Sequence, residues 1–236
     1  MISNASLAGD MGFIKTGWSP LMTISLGPTY ASPGKFQTIH LQPDIQKTYT
    51  SDFNATALFN GELFLGKQRA LNDMLFGQLG VTFSASTPAK ISGVVWEDAN
   101  VDYNNYTYNY KIQHEHIAIK GKLLSNTDMH VSPYISASLG LGFNTAHDFT
   151  INPIIVQEVS PGSFSSNTDY AFTYTLGAGF QRSLNKNWQI GIGYEFADWG
   201  KSILGRVPEQ TINHGPELDH LYTQQLQFSV TYLSGE

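Results

Sequence analysis

Strict alternation of apolar and small polar residues constrains this chain more than any other feature. In eight segments every second residue is apolar, the pattern of a β-strand whose two faces meet different surroundings. The opposite parity carries Gly, Ser, Thr and Gln, where a water-facing sheet would carry Lys and Glu; Gly177, Gly179 and Gln181 are one example. The predicted strands are approximately Trp18–Tyr30, Asp52–Gly66, Met74–Ser86, Tyr106–Leu124, His130–Phe143, Tyr170–Ser183, Trp188–Gly200 and His220–Leu233.

The connections between these strands alternate in length. Short turns are predicted near Lys67–Asp73, Ser125–Met129 and Leu184–Asn187, and the other loops have roughly 20 residues or more, which is long for a compact domain. Short turns on one side and long loops on the other are typical of a transmembrane barrel. The predicted fold class is all-β, an eight-stranded antiparallel up-and-down transmembrane β-barrel over residues 17–233, with a periplasmic extension (1–16) and a C-terminal tail (234–236).

In this prediction the apolar parity faces lipid and the small polar parity fills a narrow lumen. The alternative is a soluble, lipocalin-like ligand-binding barrel with the apolar parity inside. Charged residues make up only 14% of the chain, against roughly 25% in soluble proteins, which favours the membrane barrel. The absence of Cys excludes thiol chemistry, and a net charge of −6 without a basic cluster argues against nucleic-acid binding. No cofactor is predicted.

Six stretches of the chain carry a resemblance to known proteins: AGDMG (Ala8–Gly12), SLGPTY (Ser25–Tyr30), QTIHLQPDIQKTY (Gln37–Tyr49), GELFLGKQR (Gly61–Arg69), GYEFADWGKS (Gly193–Ser202) and LYTQQLQFSVTYL (Leu221–Leu233). They resemble the eight-stranded outer-membrane proteins of Gram-negative bacteria, in particular a family of β-barrel surface proteins found in Legionella and Coxiella relatives.

The resemblance implies a porin-like or adhesin-like protein of the bacterial outer membrane, with its loops exposed at the cell surface. The implied partners are outer-membrane lipid, lipopolysaccharide and a host surface protein or glycan. Such proteins usually end in an aromatic residue, whereas here Ser234, Gly235 and Glu236 follow Leu233, and no signal peptide follows Met1. We therefore expect both ends to have been altered for expression.

A polar network is predicted inside the barrel. Glu62, Gln78 and Lys120 fall on the inner parity of three neighbouring strands at about the same height, and Glu195 is inward-facing as well. A charge inside a barrel must be paired to be tolerated. We interpret these residues as a structural cross-link of a filled lumen; the alternative is an ion path or gate.

Aromatic residues are predicted to form interfacial belts. We expect Tyr106, Tyr108 and Tyr110 at the outer interface, with a receptor- or glycan-binding patch as the alternative for this run. The inner interface would carry Trp18, Trp188 and Tyr232, and Trp96 and Tyr103 would be loop residues available for contacts.

Two short motifs suggest chemistry weakly. His114 and His116 flank Glu115 and share a strand face, as metal ligands could, but no third ligand is evident. We interpret this segment as a polar strand end near the outer surface, with a β-bulge. The stretch His130–Ser132 resembles the His-x-Ser arrangement of lipid A deacylase barrels, yet it lies at the short-turn end. No catalytic or metal site is predicted.

These observations together predict a surface protein with a structural or adhesive role through its long external loops, without catalysis. The alternatives are a narrow pore, or a barrel that binds or transports small hydrophobic molecules. Both need a continuous internal void.

Overall fold

Eight long antiparallel strands form a closed ring in the computed structural model, which describes residues 17–52, 54–125, 131–155 and 162–234. The ring strands are β1 (Ser19–Ala31), β4 (Thr56–Asn72), β5 (Leu75–Ser86), β7 (Asn104–Ser125), β8 (Ser132–Pro153), β9 (Asn167–Ser183), β10 (Trp188–Asp198) and β13 (Tyr222–Leu233). The shorter strands are β2 (Gln37–Gln42), β3 (Ile45–Ser51), β6 (Ala89–Glu97), β11 (Ser202–Ile203) and β12 (Glu217–Leu218).

The ring closes between its first and last strands. Ile24 on β1 lies opposite Leu63 on β4 and opposite Val230 on β13, so β1 is paired on both sides. A closed ring satisfies its backbone hydrogen bonds internally, which is what a sheet in hydrocarbon requires. In the described part of the chain, no helix is long and apolar enough to cross a membrane.

The two faces of the ring have the predicted contents. On β7, Ile119 is 65% exposed and its neighbour Lys120 only 5%. The same contrast recurs around the ring, where Leu139 and Phe228 are exposed and Ser138 and Gln227 are buried. The apolar parity therefore points outward, and the alternative of a lipocalin-like barrel with an apolar interior is wrong.

All eight predicted strands are present, but several are longer than predicted. β4 continues to Asn72 and β8 to Pro153, whereas β10 ends at Asp198. The long loops also contain strands: β2, β3 and β6 extend the sheet beside the upper part of β7. The wall thus continues beyond the apolar band on the long-loop side only.

The bulge predicted near His114–His116 is wrong. β7 and β8 pair without interruption from Ile112 opposite Ala146 to Leu124 opposite Tyr134. The irregularity lies higher, between Asn109 and Lys111, where Asp148 has a φ of 57°. The apolar parity of β7 does change near these histidines, but for another reason: below this level apolar residues face out, and above it they face in.

Above the apolar band the ring supports a second, inward-facing apolar core. We call this region the cap: β2, β3, β6, the upper ends of β7 and β8, and residues 162–166 and 199–221. On β7 the outward-facing residues of the cap are polar and include Thr107, Lys111 and Glu115, all exposed. The buried side chains include Ile39, Tyr49, Ile91, Val95, Tyr106, Tyr108, Tyr110, Phe149, Phe164, Leu204 and Leu221.

Candidate functional site

Three charged side chains meet in the middle of the lumen. Lys120 Nζ lies 2.7 and 2.8 Å from the two carboxylate oxygens of Glu62 and 2.7 Å from Glu195 Oε2. They project from β7, β4 and β10, so the cluster ties together three sides of the ring. All three are at least nine-tenths buried. The alternation brings them here because each sits on the small polar parity of its strand.

The fourth predicted member of this network, Gln78, lies elsewhere in the lumen. Its Nε2 donates to Gln68 Oε1 at 2.8 Å and makes no hydrogen bond to the charged triad.

A second cation, Lys122, lies on the short-turn side of the triad. Its ammonium donates to Gln181 Oε1 and sits 3.7 Å from the centroid of the Tyr134 ring. Sequence reasoning missed Lys122, although it shares the parity of Lys120.

On the long-loop side of the triad, Trp199 covers two histidines. Its ring centroid lies 4.0 Å from that of His114 and 4.7 Å from that of His116. Trp199 Nε1 donates to Thr223 Oγ1 at 2.8 Å, and Asn144 Nδ2 donates to the Trp199 carbonyl at 2.7 Å. The histidines are therefore buried in the lumen, and their interpretation as a polar strand end near the surface is wrong.

Trp199 could have been placed from the sequence. It has the parity of Glu195 on the predicted strand, which puts both inside. What the pattern could not give is the turn at Gly200, whose φ of 71° lets the chain fold inward over the lumen.

The lower lumen is nearly full. The open space between Glu62, Lys122 and Gln227 amounts to about 20 Å³, close to the volume that a single water needs. Small residues allow this filling. At Gly193, for example, an added Cβ would lie 2.2 Å from the Tyr134 hydroxyl. Chemically, the arrangement can cross-link the wall and exclude bulk water.

The three tyrosines predicted at the outer interface are inside the cap. Tyr106, Tyr108 and Tyr110 are only 3–4% exposed, and the ring centroids of Tyr108 and Tyr49 are 5.3 Å apart. The prediction failed because apolar residues face inward where the wall stands in water. Burial raises the pKa of the Tyr49 hydroxyl, with a further contribution from Tyr108.

Other aromatic residues occupy the outer boundary of the apolar band. Tyr30, Phe59, Tyr170 and Tyr222 are outward-facing and about half exposed or more. At the short-turn end, Trp18, Trp188 and Tyr232 also face outward, with exposures of 48%, 44% and 38%. The Trp188 and Tyr232 rings lie 5.1 Å apart. The band is therefore bordered by exposed aromatic side chains at both ends.

A sequence model of the outer membrane protein beta-barrel domain matches residues 21–233, which is nearly the whole described chain. This protein belongs to the outer-membrane β-barrel family. It is an integral protein of the bacterial outer membrane, the short turns face the periplasm, and the cap is extracellular. The finer resemblance to Legionella and Coxiella proteins stays a prediction. None of the curated proteins compared with the chain matches it.

Several solved outer-membrane proteins are similar to this barrel. OprG from Pseudomonas aeruginosa is 16% identical over 93% of this chain and 99% of its own, with a TM-score of 0.49. The Neisserial surface protein NspA is 12% identical over 91% and 96%, with a TM-score of 0.45. The protease OmpT from Escherichia coli is 9% identical over 92% and 98%, with a TM-score of 0.49.

The tip of the outer-membrane barrel, farthest from the lipid band, exposes apolar side chains. Val101 and Tyr103 lie in a short 3-10 helix before β7 and are 59% and 54% exposed. Ile154 follows β8, donates its backbone N–H to the Asn105 carbonyl at 2.7 Å and is half exposed. Trp96, predicted as a loop residue, belongs instead to β6, and its ring packs 5.2 Å from that of Phe36.

A histidine–carboxylate pair lies at the outer rim, where sequence reasoning found none. His220 Nδ1 is 2.9 Å from Asp198 Oδ2, and its ring stacks on Tyr222. Among the described residues, no hydroxyl is hydrogen-bonded to this imidazole. Of the predicted His-x-Ser motif, His130 lies outside the described residues and Ser132 points into the lumen. The described residues hold no group of three or more His, Asp or Glu that could bind a metal ion.

Proposed function

We propose that this outer-membrane barrel is a non-catalytic surface protein that holds a rigid extracellular cap and contacts a host protein or glycan through the tip of that cap. The observation that carries this proposal is the filled interior. The ion cluster of Lys120 occupies the lumen, and Trp199 and the cap core close it above. A narrow pore or a carrier would need a continuous void, and a filled barrel suits an anchor.

The tip provides the contact surface in this proposal. Val101, Tyr103 and Ile154 are exposed apolar residues on the outermost turns of the wall. Exposed apolar side chains clustered on a soluble surface often mark an interaction site. Tyr combines a large contact area with a hydrogen-bonding hydroxyl at a small entropic cost.

The experiment has two parts. Purified barrel is first inserted into a planar bilayer, where we expect no discrete conductance steps; regular steps would support the pore instead. The protein is then displayed on a non-adherent bacterium, and attachment to cultured host cells is counted. The double variant V101S/Y103S should attach at least several-fold less than the wild type.

The matched control is Leu184→Ser. Leu184 is as exposed as Val101 but lies in a periplasmic turn, where no external partner reaches it. Attachment that is absent in the wild type, or equal in V101S/Y103S and the wild type, would contradict the adhesive role.

A further inference from the structure

A cleft opens in the outer wall where β4 and β6 diverge. Thr87, which lies between β5 and β6, still donates its backbone N–H to the Phe59 carbonyl of β4 at 2.9 Å. Above this hydrogen bond the Thr56 hydroxyl spans the gap, donating to the Lys90 carbonyl at 3.0 Å. The open space in the cleft is about 310 Å³, which reaches the lower end of the range for small-molecule sites.

The walls of the cleft carry hydrogen-bonding groups that suit a polyol. Asp52 is held in place because its Oδ2 accepts from Ser92 Oγ at 2.9 Å and its N–H donates to the Ser92 carbonyl at 3.0 Å. Ser51 and Asn54 add a hydroxyl and an amide to the same lining. Carboxylate, amide and hydroxyl groups beside small apolar surfaces, here Pro33, can bind the hydroxyls and the ring face of a sugar.

At the mouth of the cleft, Lys90 faces another lysine across the strand pair. Lys90 lies directly opposite Lys111 in the β6–β7 register, and like charges in that position repel. Lys111 is compensated by Asp148, whose Oδ2 is 3.1 Å from the ammonium. In the described part of the chain no carboxylate lies within 4.0 Å of Lys90, so an anion beside it would relieve the repulsion.

The cleft lies at the height of lipid headgroups. Ala57 in its lining pairs with Tyr30 of the outer aromatic border. The outward residues of β7 change from Ile117 to Glu115 just below Lys111. A cleft at this height can be reached both by a lipid headgroup of the outer leaflet and by a solute in the external medium.

We infer that this cleft binds a phosphorylated sugar, with Lys90 on the phosphate and Asp52 and Asn54 on the sugar hydroxyls. The shared chemistry has two sources: the headgroup of lipopolysaccharide in the same leaflet, and a free sugar phosphate. The cleft is separate from the tip, so this inference does not depend on the proposed adhesive role.

The first experiment measures binding to the full chain in neutral detergent micelles by calorimetry. The probes are glucosamine 6-phosphate, glucosamine and inorganic phosphate. We expect the sugar phosphate to bind at least tenfold more tightly than either part alone. Lys90→Ala should bind the sugar phosphate at least tenfold more weakly than the wild type, and Asn54→Ala several-fold more weakly. Lys186→Ala, which removes an exposed lysine from a periplasmic turn, should bind as the wild type does.

A second measurement separates the two sources. Native mass spectrometry with lipid A carrying both phosphates tests the leaflet headgroup, and Lys90→Ala should lose adducts if this lipid is the ligand. Binding of glucosamine 6-phosphate without lipid A would assign a free sugar phosphate. Inorganic phosphate binding as tightly as the sugar phosphate would reduce the cleft to an anion site and overturn the inference, as would equal binding by Lys90→Ala. Heat-shifted gel mobility confirms that each variant is folded.

Discussion

At the level of single residues, the buried Lys120 compensates the charges of two carboxylates in the lumen. Lys120 is bonded to both Glu62 and Glu195 at 2.7 Å, and none of the three has more than slight exposure. Removing one partner from such a cluster leaves an uncompensated buried charge, which is more costly than replacing the whole cluster. The two carboxylates would then face each other across the lumen.

We therefore expect Lys120→Met to lower the free energy of unfolding by about 3–5 kcal/mol. The measurement is urea unfolding of protein refolded into lipid vesicles, followed by the fraction that keeps its folded gel mobility. The triple variant E62Q/K120M/E195Q should recover most of the loss, because no charge is left unpaired. Lys186→Met is the control for losing a lysine, and wild-type stability in Lys120→Met would contradict the assigned role of the cluster.

At the level of strands, close approach of neighbouring backbones explains why glycine recurs on the inner parity. A Cβ added at Gly80 would lie 2.1 Å from the Leu65 carbonyl oxygen and 2.5 Å from Gly66 Cα. Both are backbone atoms of β4, so relief requires the strand pairing itself to shift. At Gly121, on the outer parity of β7, nothing lies within 4 Å of an added Cβ.

Gly80→Ala and Gly121→Ala form a matched pair. Both substitutions change the unfolded chain similarly. Only Gly80→Ala overpacks the wall, which should lower the free energy of unfolding by about 1–3 kcal/mol. We expect a lower folded fraction for Gly80→Ala and wild-type folding for Gly121→Ala, measured by comparing boiled and unboiled samples on a gel. Equal folding of the two variants would show that β4 and β5 are not packed this closely.

An ion pair in the cap reinforces the pairing of β3 with β6. Lys47 Nζ is 2.8 Å from Glu97 Oε1, and Asn105 donates to Oε2 at 3.0 Å. Burial opposes the charged form, but Lys47 outweighs it and lowers the pKa of the Glu97 carboxyl below its ordinary value. A lowered carboxyl pKa means that the stabilisation is complete above the unfolded-state pKa, about 4.3, and is lost as pH falls through the folded-state pKa.

Acidification should therefore loosen β2 and β3 before it affects the ring. Hydrogen-exchange protection factors, corrected for the intrinsic pH dependence, should fall in these two strands between about pH 5 and pH 3 while β1 and β13 keep theirs. In Glu97→Gln the protection in β2 and β3 should be lower at pH 7 and should change less with pH. A pH response in Glu97→Gln equal to that of the wild type would assign the effect to another group.

At the level of the whole molecule, the wall passes through two solvents, and this accounts for what the sequence could and could not predict. Alternation identified all eight ring strands and their inner parity, including Glu62, Lys120 and Glu195, because residues two apart always share a face. The same alternation cannot say which face meets water. On β7 the apolar parity changes from Tyr110 and Ile112, inside, to Ile117 and Ile119, outside.

That change marks where the wall leaves the lipid, and in the sequence alone it resembles a β-bulge. The signal that could have located it is the outward series Lys111, Gln113 and Glu115, three polar residues where lipid-facing residues would be apolar. The real irregularity at Asp148 gives no such signal, since it depends on the register with β7. Cap strands such as β3 were missed because they lie in segments predicted as loops, although β2 and β3 form a local hairpin in which Gln42 lies opposite Ile45.

The two halves of the wall are stabilised differently, and they should therefore unfold separately. In the lipid band, closure of the ring satisfies the backbone and polar side chains fill the interior. In the cap, stability comes from apolar burial centred on Phe149, whose ring lies 4.9 Å from that of Phe164 and 6.1 Å from that of Tyr108. Phe149→Ala should cost about 3–5 kcal/mol in the cap alone.

The measurement is hydrogen exchange with peptide resolution in lipid vesicles. We expect β2, β3 and β6 to lose protection in Phe149→Ala, whereas β1, β4 and β13 keep it and the heat-shifted gel mobility is unchanged. Tyr103→Ala, at the exposed tip, is the control, and the hydrogen-exchange protection of every strand in this variant should equal that of the wild type. If Phe149→Ala weakened the ring as much as the cap, the molecule would be a single cooperative unit, because β7 and β8 run through both regions and could transmit the loss.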